Sequence, residues 1–446
     1  MRCLNQIIDN SLKAGKVQAK KLWQEIDALK DYSAKQREQT KFFGITRKGL
    51  SGLKSNKEIL EGINFANTAY CFEKFLREKT EISSAVNLER DRWDYSAPNP
   101  MTCRLEIEAD VFINIWTEVT VFFKYSGEPF CASIKPNGFR DGEHALILTA
   151  RSADALQNFL QEFCDYRYKH HYLKGKKIFG INGQILSVKH YGWNDVVLPE
   201  GMAERMFDEI RTVLRCASVF TCYGLNSKKG FIFAGEPGNG KTLLIKILAN
   251  TIDATCIVVP CKEVGDAQKL FKLARELAPT LLILEDLDLY AKDREETENA
   301  TVLGELMNAM DGVIDNQEII VIATTNRLKK IEKALQNRPG RFDRVYTVPN
   351  PDLAARRRLL SLFIEKVPNE ITPENVETLA EKFAGYSAAY LKELINSGFG
   401  QAILKDDKNP VMRMTDLIAC SEILQKREER RSIGYSGAEK LDQPRG

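Results

Sequence analysis

Gly235, Glu236, Pro237, Gly238, Asn239, Gly240, Lys241 and Thr242 fit the pattern GxxxxGK[ST], between an apolar run at residues 231–234 and a helical run at 243–248. That spacing is phosphate chemistry. Glycines let the backbone curl so that its N–H groups and a helix N-terminus surround phosphate oxygens, while the Lys241 ammonium reaches β and γ phosphates and the Thr242 hydroxyl ligates Mg²⁺. A second apolar run, 281–284, leads into the acids Glu285, Asp286 and Asp288. Carboxylates at the C-terminal edge of a strand beside a phosphate loop hold a metal's water shell and polarise an attacking water, a role expected of Glu285 and Asp286. A third run, 319–323, passes through Thr324 and Thr325 to Asn326, an amide suited to orient that water or to contact a γ-phosphate.

For these residues to meet, their strands must end on one edge of a sheet. Beyond residue 193 helical patterns alternate with short buried strands at 230–234, 255–259, 281–284, 319–323 and 344–348, the sequence form of a parallel sheet wrapped by helices. After Pro351 only helical patterns remain, to about residue 425. Residues 1–95 read as helical, with Leu22, Ile26 and Leu29, then Phe65, Ala69, Phe72 and Leu76, at spacings of three and four. A Pro-punctuated linker at 96–100 precedes strands at 104–109, 113–125 and 145–149 and a helix at 153–168. Asn182-Gly183 within 178–186 predicts a hairpin with a tight I′ turn.

The chain has 446 residues, too many for one small domain, with 64 basic and 61 acidic side chains. A net charge of +3 gives no whole-chain pull toward nucleic acid or anionic membrane. The apolar stretches are too short or too interrupted to span a bilayer, and the N-terminus lacks an apolar signal-peptide core, so the expectation is a cytoplasmic protein with no membrane span. Ten scattered cysteines without CxxC spacing read as reduced, mostly buried thiols.

Residues 193–424, about half of the chain, resemble the AAA family of ATPases. Besides the phosphate loop and acids, Met310, Asp311 and Gly312 resemble the family's MDG turn, and Arg338, Pro339, Gly340, Arg341, Phe342, Asp343 and Arg344 match its RPGRFDR signature. Gly385, Tyr386, Ser387, Ala388 and Ala389 are similar to its G-F-S-G-A segment. The resemblance implies an α/β P-loop NTPase sheet with a small helical lid, preceded here by a helical segment and a small α+β domain. It implies ATP and Mg²⁺ as ligands, and hydrolysis to ADP and phosphate. It places Gly235, Glu236, Pro237, Gly238, Asn239, Gly240, Lys241, Thr242 and Leu243 around the nucleotide, with Asp195 and Val196 toward the adenine and Gly385 and Ala388 in the lid. Thr242, Glu285 and Asp286 serve the metal; Glu285, Asp286 and Asn326 serve hydrolysis. Arg338 and Arg341 reach a neighbouring subunit's γ-phosphate, which implies a homo-oligomeric ring, usually of six. A cation delivered in trans stabilises charge on the transferring phosphoryl group and makes turnover depend on assembly.

The sequence departs from the family in three places. Glu285-Asp286 inverts the common Asp-Glu order, which is similar to the mitochondrial translocase branch of the family and its bacterial relatives. Gln336 and Asn337 add a residue before Arg338. The run 260–266 has no aromatic residue where many family unfoldases grip an extended chain. The expected domains are a helical segment 1–95, an α+β partner-binding domain 100–190, the ATPase domain 193–350, the lid 351–425 and a mobile tail 426–446. The leading expectation is remodelling or translocation of a protein client held by the N-terminal half. The alternatives are a nucleic-acid-dependent ATPase, drawing on basic residues in the first sixty positions and on Arg167, Lys169, His170, His171, Lys174, Lys176 and Lys177 among tyrosines, and a nucleotide-gated scaffold with slow hydrolysis.

Overall fold

The computed structural model describes residues 38–44, 47–86, 99–137, 142–187, 189–223, 229–260, 266–289, 305–306, 308–310, 318–329, 342 and 344–424. The chain divides into two compact units, Met1–Lys174 and Gly175–Gly446.

The first unit is an antiparallel sheet with two helices. Its elements are β1 (Lys54–Leu60), α1 (Gly62–Lys79), β2 (Glu81–Val86), β3 (Met101–Glu108), β4 (Val111–Tyr125), β5 (Glu128–Pro136), β6 (His144–Ala150) and α2 (Ala153–Lys169). The strand order is β1-β6-β5-β4-β2, and β3 also pairs with β4. Period-two alternation sorts the faces. Val119, Val121 and Phe123 of β4 join the core beneath α1 and α2, whereas Phe122 packs with Phe43 and Cys131 on the opposite side. In that core the Phe75 ring lies 5.3 Å from Phe159 and 5.2 Å from Tyr166, both edge-on, an arrangement that favours aromatic pairs.

Part of this unit departs from the helical expectation for residues 1–95. Helix α1 buries Phe65, Ala69, Phe72 and Leu76 as the spacing predicts, but residues 54–60 and 81–86 are strands. Strand β1 reads Lys-Ser-Asn-Lys-Glu-Ile-Leu at a sheet edge with only Leu60 buried, so it carries no alternating apolar signal. Strand β5, absent from the sequence reading, is enriched in small buried residues such as Cys131, Ala132 and Ser133. The helical spacing at residues 22–29 and the tail 426–446 lie outside the described residues.

The second unit holds the parallel sheet. Its order is β13-β9-β12-β11-β10-β7-β8, formed by β7 (Lys177–Phe179), β8 (Gln184–Ile185), β9 (Lys229–Ala234), β10 (Thr255–Pro260), β11 (Thr280–Glu285), β12 (Ile319–Thr325) and β13 (Arg344–Thr347). All are parallel except β8, which turns back on β7. The 178–186 hairpin therefore extends this sheet rather than the first unit. Its turn is not the two-residue type expected, because Phe179 pairs with Gln184 and the positive φ angles fall on Gly180 and Gly183. Helices α3 (Met202–Cys222), α4 (Lys241–Thr251) and α5 (Ala267–Glu276) accompany the sheet, with Met206, Ile210, Leu244 and Leu248 packed on Phe231, Phe233 and Ile320.

A helical lid follows: α6 (Leu353–Ile364), α7 (Pro373–Lys382), α8 (Ala388–Lys405) and a helix over residues 414–424. Each named lid helix begins on a side-chain cap. Asp352 accepts from the Ala355 N–H, Thr372 from Asn375 and Ser387 from Tyr390, each satisfying an N–H left free at a helix start. Leu360, Leu379, Phe383, Leu391, Leu394 and Leu417 form the lid's own core.

Among the described residues no helix is long and apolar enough to cross a membrane. Of the cysteines described, Cys71, Cys131, Cys256 and Cys420 are buried, but Cys103, Cys164 and Cys222 are exposed, so burial is less general than their composition suggests.

Candidate functional site

Parallel register brings the three predicted motifs to one edge. Ala234 pairs with Thr325, and Leu284 with Ala323, so the C-terminal ends of β9, β11 and β12 lie side by side. Ligands of open parallel sheets bind in the crevice beyond those ends. The loop after β9 is tied there by the Gly235 N–H, which donates to the Thr325 carbonyl at 3.2 Å.

Gly235, Gly238 and Gly240 all have positive φ, at 154°, 86° and 88°. At Gly238 a side chain is also excluded by space, since a Cβ there would lie 2.6 Å from the Ala389 Cβ. Gly240 is the N-terminal cap residue of α4, whose first residues are Lys241 and Thr242. Lys241 is buried, and its Nζ donates to the carbonyls of Gly235 (2.7 Å) and Glu236 (2.9 Å). Burial lowers its pKa, while the carboxylates of Asp286, Asp288 and Glu236 favour the ammonium. A buried ammonium held by two carbonyls of a glycine loop fits an incoming phosphate, which offers it a stronger, charged acceptor. The Thr242 side chain is exposed one position further on, suited to Mg²⁺.

Opposite the loop, Glu285 ends β11. Burial, then the charge of Asp286, raises its carboxyl above the usual range, against the pull of Lys246. Asp286 takes a left-handed conformation, φ 57°, rare for a residue with a side chain, and its N–H donates to Thr324 Oγ1 at 2.9 Å. The Asn326 amide Nδ2 lies 3.4 Å from Asp286 Oδ1. The structure thus brings Asn326 and Asp286 into contact, as expected from their order along the chain. Asp288, to which the sequence reading gives no part, is buried and accepts from Thr325 and Asn326. Its one signal is membership of the acidic run.

A cavity of about 370 Å³ adjoins the loop, lined by Asp195, Val196, Gly238, Asn239, Gly240, Leu243 and Ala388 together with Tyr191, Phe363 and Ile395. Its apolar walls suit a base. Asp195 is exposed and folds back on its own turn, its carboxylate accepting from the Gly192 N–H at 2.8 Å. Gly385 is not part of this wall; its carbonyl accepts from Asn350 Nδ2 at 2.9 Å.

Asn350 was not foreseen, and it is a hub. Its amide also donates to the Glu236 carboxylate at 3.1 Å, and its Oδ1 accepts from Asn239 Nδ2 at 2.7 Å. Asn239 Oδ1 accepts from the Ala388 N–H at 3.3 Å, and the Gly238 carbonyl accepts from the Ala389 N–H at 2.9 Å. The phosphate loop and the lid are therefore directly hydrogen-bonded, and Pro237 within the loop is exposed.

Arg338 and Arg341, Asp311 and Gly312, and the aromatic-free loop 261–265 lie outside the described residues. The basic–aromatic cluster near residue 170 is largely committed within its own surroundings. Arg167 pairs with Glu58 at 3.0 Å and donates to Thr68, Tyr166 donates to Glu78, and His171 is buried with its pKa lowered to about 4, first by desolvation.

Residues 231–350 match the family model described as "ATPase family associated with various cellular activities (AAA)". Protein SAV of Sulfolobus acidocaldarius is 33% identical over 223 residues, 47% of this chain and 28% of that protein. The human ATPase family gene 2 protein homolog B is 29% identical over 256 residues, 54% of this chain and 34% of its own length. The proteasome-activating nucleotidase of Aeropyrum pernix is 31% identical over 258 residues, 54% of this chain and 62% of its own length. The chain thus spans about a third of the length of most of these relatives. The family match takes in the phosphate loop, Glu285, Asp286 and Asn326.

Proposed function

We propose that this chain hydrolyses ATP with Mg²⁺ as a subunit of a homo-oligomeric ring, and that the resulting lid motion remodels a protein client held by its N-terminal unit. The observation that carries the reading is the direct bonding of the phosphate loop to the first turn of α8. A motor needs its nucleotide site joined mechanically to a part that moves.

The residues divide the work. Lys241 exchanges its two backbone carbonyls for phosphate oxygens, and the N-terminus of α4 adds backbone N–H donors. Thr242 and the carboxylates of Glu285 and Asp286 are the protein groups suited to hold Mg²⁺, which neutralises phosphate charge when bound. Asp286 accepts a proton from, or orients, the attacking water, with the Asn326 amide beside its carboxylate to contact the same water or the γ-phosphate. Arg338 and Arg341, by their match to the family signature, act on the adjacent subunit. The 370 Å³ cavity takes the base and ribose. Gly385, through Asn350, and Ala388, through Asn239, relay the state of the loop to the lid.

A relative named as a proteasome-activating nucleotidase supports a protein client. The internal pairing of Arg167 and the burial of His171 leave fewer free cations for a nucleic acid than the sequence suggests. The experiment is to load a Glu285→Gln, Asp286→Asn double variant with ATP in native extract and weigh the complex. A closed ring retaining a protein supports the reading. A ring retaining nucleic acid, or no ring, refutes it.

A further inference from the structure

Asp288 is only 4% exposed, and its charge acts on the Lys241 ammonium. Its Oδ1 accepts two hydrogen bonds, from the Thr325 hydroxyl and from the Asn326 backbone N–H, each at 3.0 Å. Thr325 is fully buried, and its Oγ1 in turn accepts from the Arg327 N–H at 3.0 Å. Two positions earlier the pinning runs the other way, with the Asp286 N–H donating to Thr324 Oγ1 at 2.9 Å. The end of β12 and the turn Leu287–Leu289 are therefore stitched together on both sides of the Asn326–Asp286 pair.

That pair has little hold of its own. Its separation of 3.4 Å lies beyond the usual 2.7–3.2 Å for an N–H···O bond, so it does not fix its own geometry. Bonds to an ionised acceptor are roughly twice as strong as neutral ones, and a buried carboxylate kept on two neutral donors concentrates that strength at the base of Asn326.

We propose that Asp288 is a positioning residue for hydrolysis, holding Asn326 against Asp286 through the Thr325 hydroxyl and the Asn326 backbone. The proposal rests on the ATPase reading above. In this role Asp288 acts through Asn326. Both donors converge on one oxygen, so an asparagine can still receive them while an alanine cannot.

The test compares Asp288→Ala and Asp288→Asn with wild type in two measurements. Without nucleotide, amide exchange of the 319–327 segment is expected to accelerate in the alanine variant and to stay near wild type in the asparagine variant. With Mg-ATP, the alanine variant is expected to lose kcat by on the order of a hundredfold, as a misplacement of about 1 Å does, with KM within about threefold. The asparagine variant is expected to recover to within about fivefold of wild type. Unaltered exchange in Asp288→Ala, a kcat near wild type, or a loss of ATP affinity in step with kcat overturns the proposal. Should the alanine variant not fold, Thr325→Val removes one donor at constant shape. A kcat lowered about fivefold there supports the pinning, and an unchanged kcat overturns it. Failure of the ATPase reading is distinct: wild type then releases no more phosphate than Lys241→Ala, whereas the exchange comparison still reports on the pinning.

Discussion

The backbone N–H of Ala389, in the first turn of the lid helix α8, donates to the carbonyl of Gly238 in the phosphate loop at 2.9 Å. A carbonyl of the loop is thus occupied by the lid, and any rotation of that peptide on phosphate binding displaces the helix start. Asn239, through the Ala388 N–H, and Asn350, through the Gly385 carbonyl, bond loop and lid at two further points.

Gly238→Ala tests that joint sterically. Its Cβ would meet the Ala389 Cβ at 2.6 Å in a left-handed backbone, against open space at Gly385, whose φ is also 86°. Gly238→Ala is expected to lower stability by about 1–3 kcal/mol and to weaken ATP binding, whereas Gly385→Ala carries only the backbone strain of about 1–2 kcal/mol. Thermal unfolding with and without Mg-ATP measures both. Equal ATP-induced stabilisation in the two variants would refute the role of the contact.

Asn350→Ala removes the bonds to Glu236, Gly385 and Asn239 together. A loss of about 1–3 kcal/mol follows if the freed partners are left unsatisfied. Calorimetric titration should show weaker ATP binding; unchanged affinity would mean that the lid docks without it.

Much of this site is legible from local sequence, and the joint is not. Glu285, Asp286 and Asn326 announce themselves because each ends or directly follows an apolar strand whose parallel pairing sets its place, and Lys241 and Thr242 because the glycine spacing of the loop marks them. Asn350 carries no local signal, since Glu236 reaches it only through the pairing of β13 with β9 and Gly385 only when the lid folds back. Asp288 looks like one more solvated acid until the turn after β11 buries it. The same limit hid β1 and β2, largely exposed edge strands whose partners lie far along the chain, while α1, with its regular apolar spacing, was legible.

Glu285 gives a pH signature. Its carboxyl is raised by burial first and by Asp286 second, so its folded pKa lies above its unfolded one. The protonated form then favours the folded state, and ionisation costs stability. That cost is absent below the ordinary glutamate range, grows as pH rises through it, and is complete above the folded pKa. Without Mg²⁺, Glu285→Gln is therefore expected to be more stable than wild type near pH 7.5, with the difference vanishing near about pH 4. A difference independent of pH in thermal unfolding would contradict this.

Arg338→Ala is expected to suppress ATP turnover at least about a hundredfold while leaving ATP affinity within about threefold, because a cation acting in trans on the transferring phosphoryl group is worth that much or more. Phosphate release and nucleotide titration on the same preparation check it, and normal turnover would remove Arg338 from the intersubunit role.

The most direct measurement is phosphate release from Mg-ATP per subunit, followed over a range of protein concentrations beside Lys241→Ala. The account predicts release that climbs steeply as subunits assemble and none above background in the variant, whose phosphate anchor is gone. Release by wild type no faster than by Lys241→Ala at every concentration would contradict it.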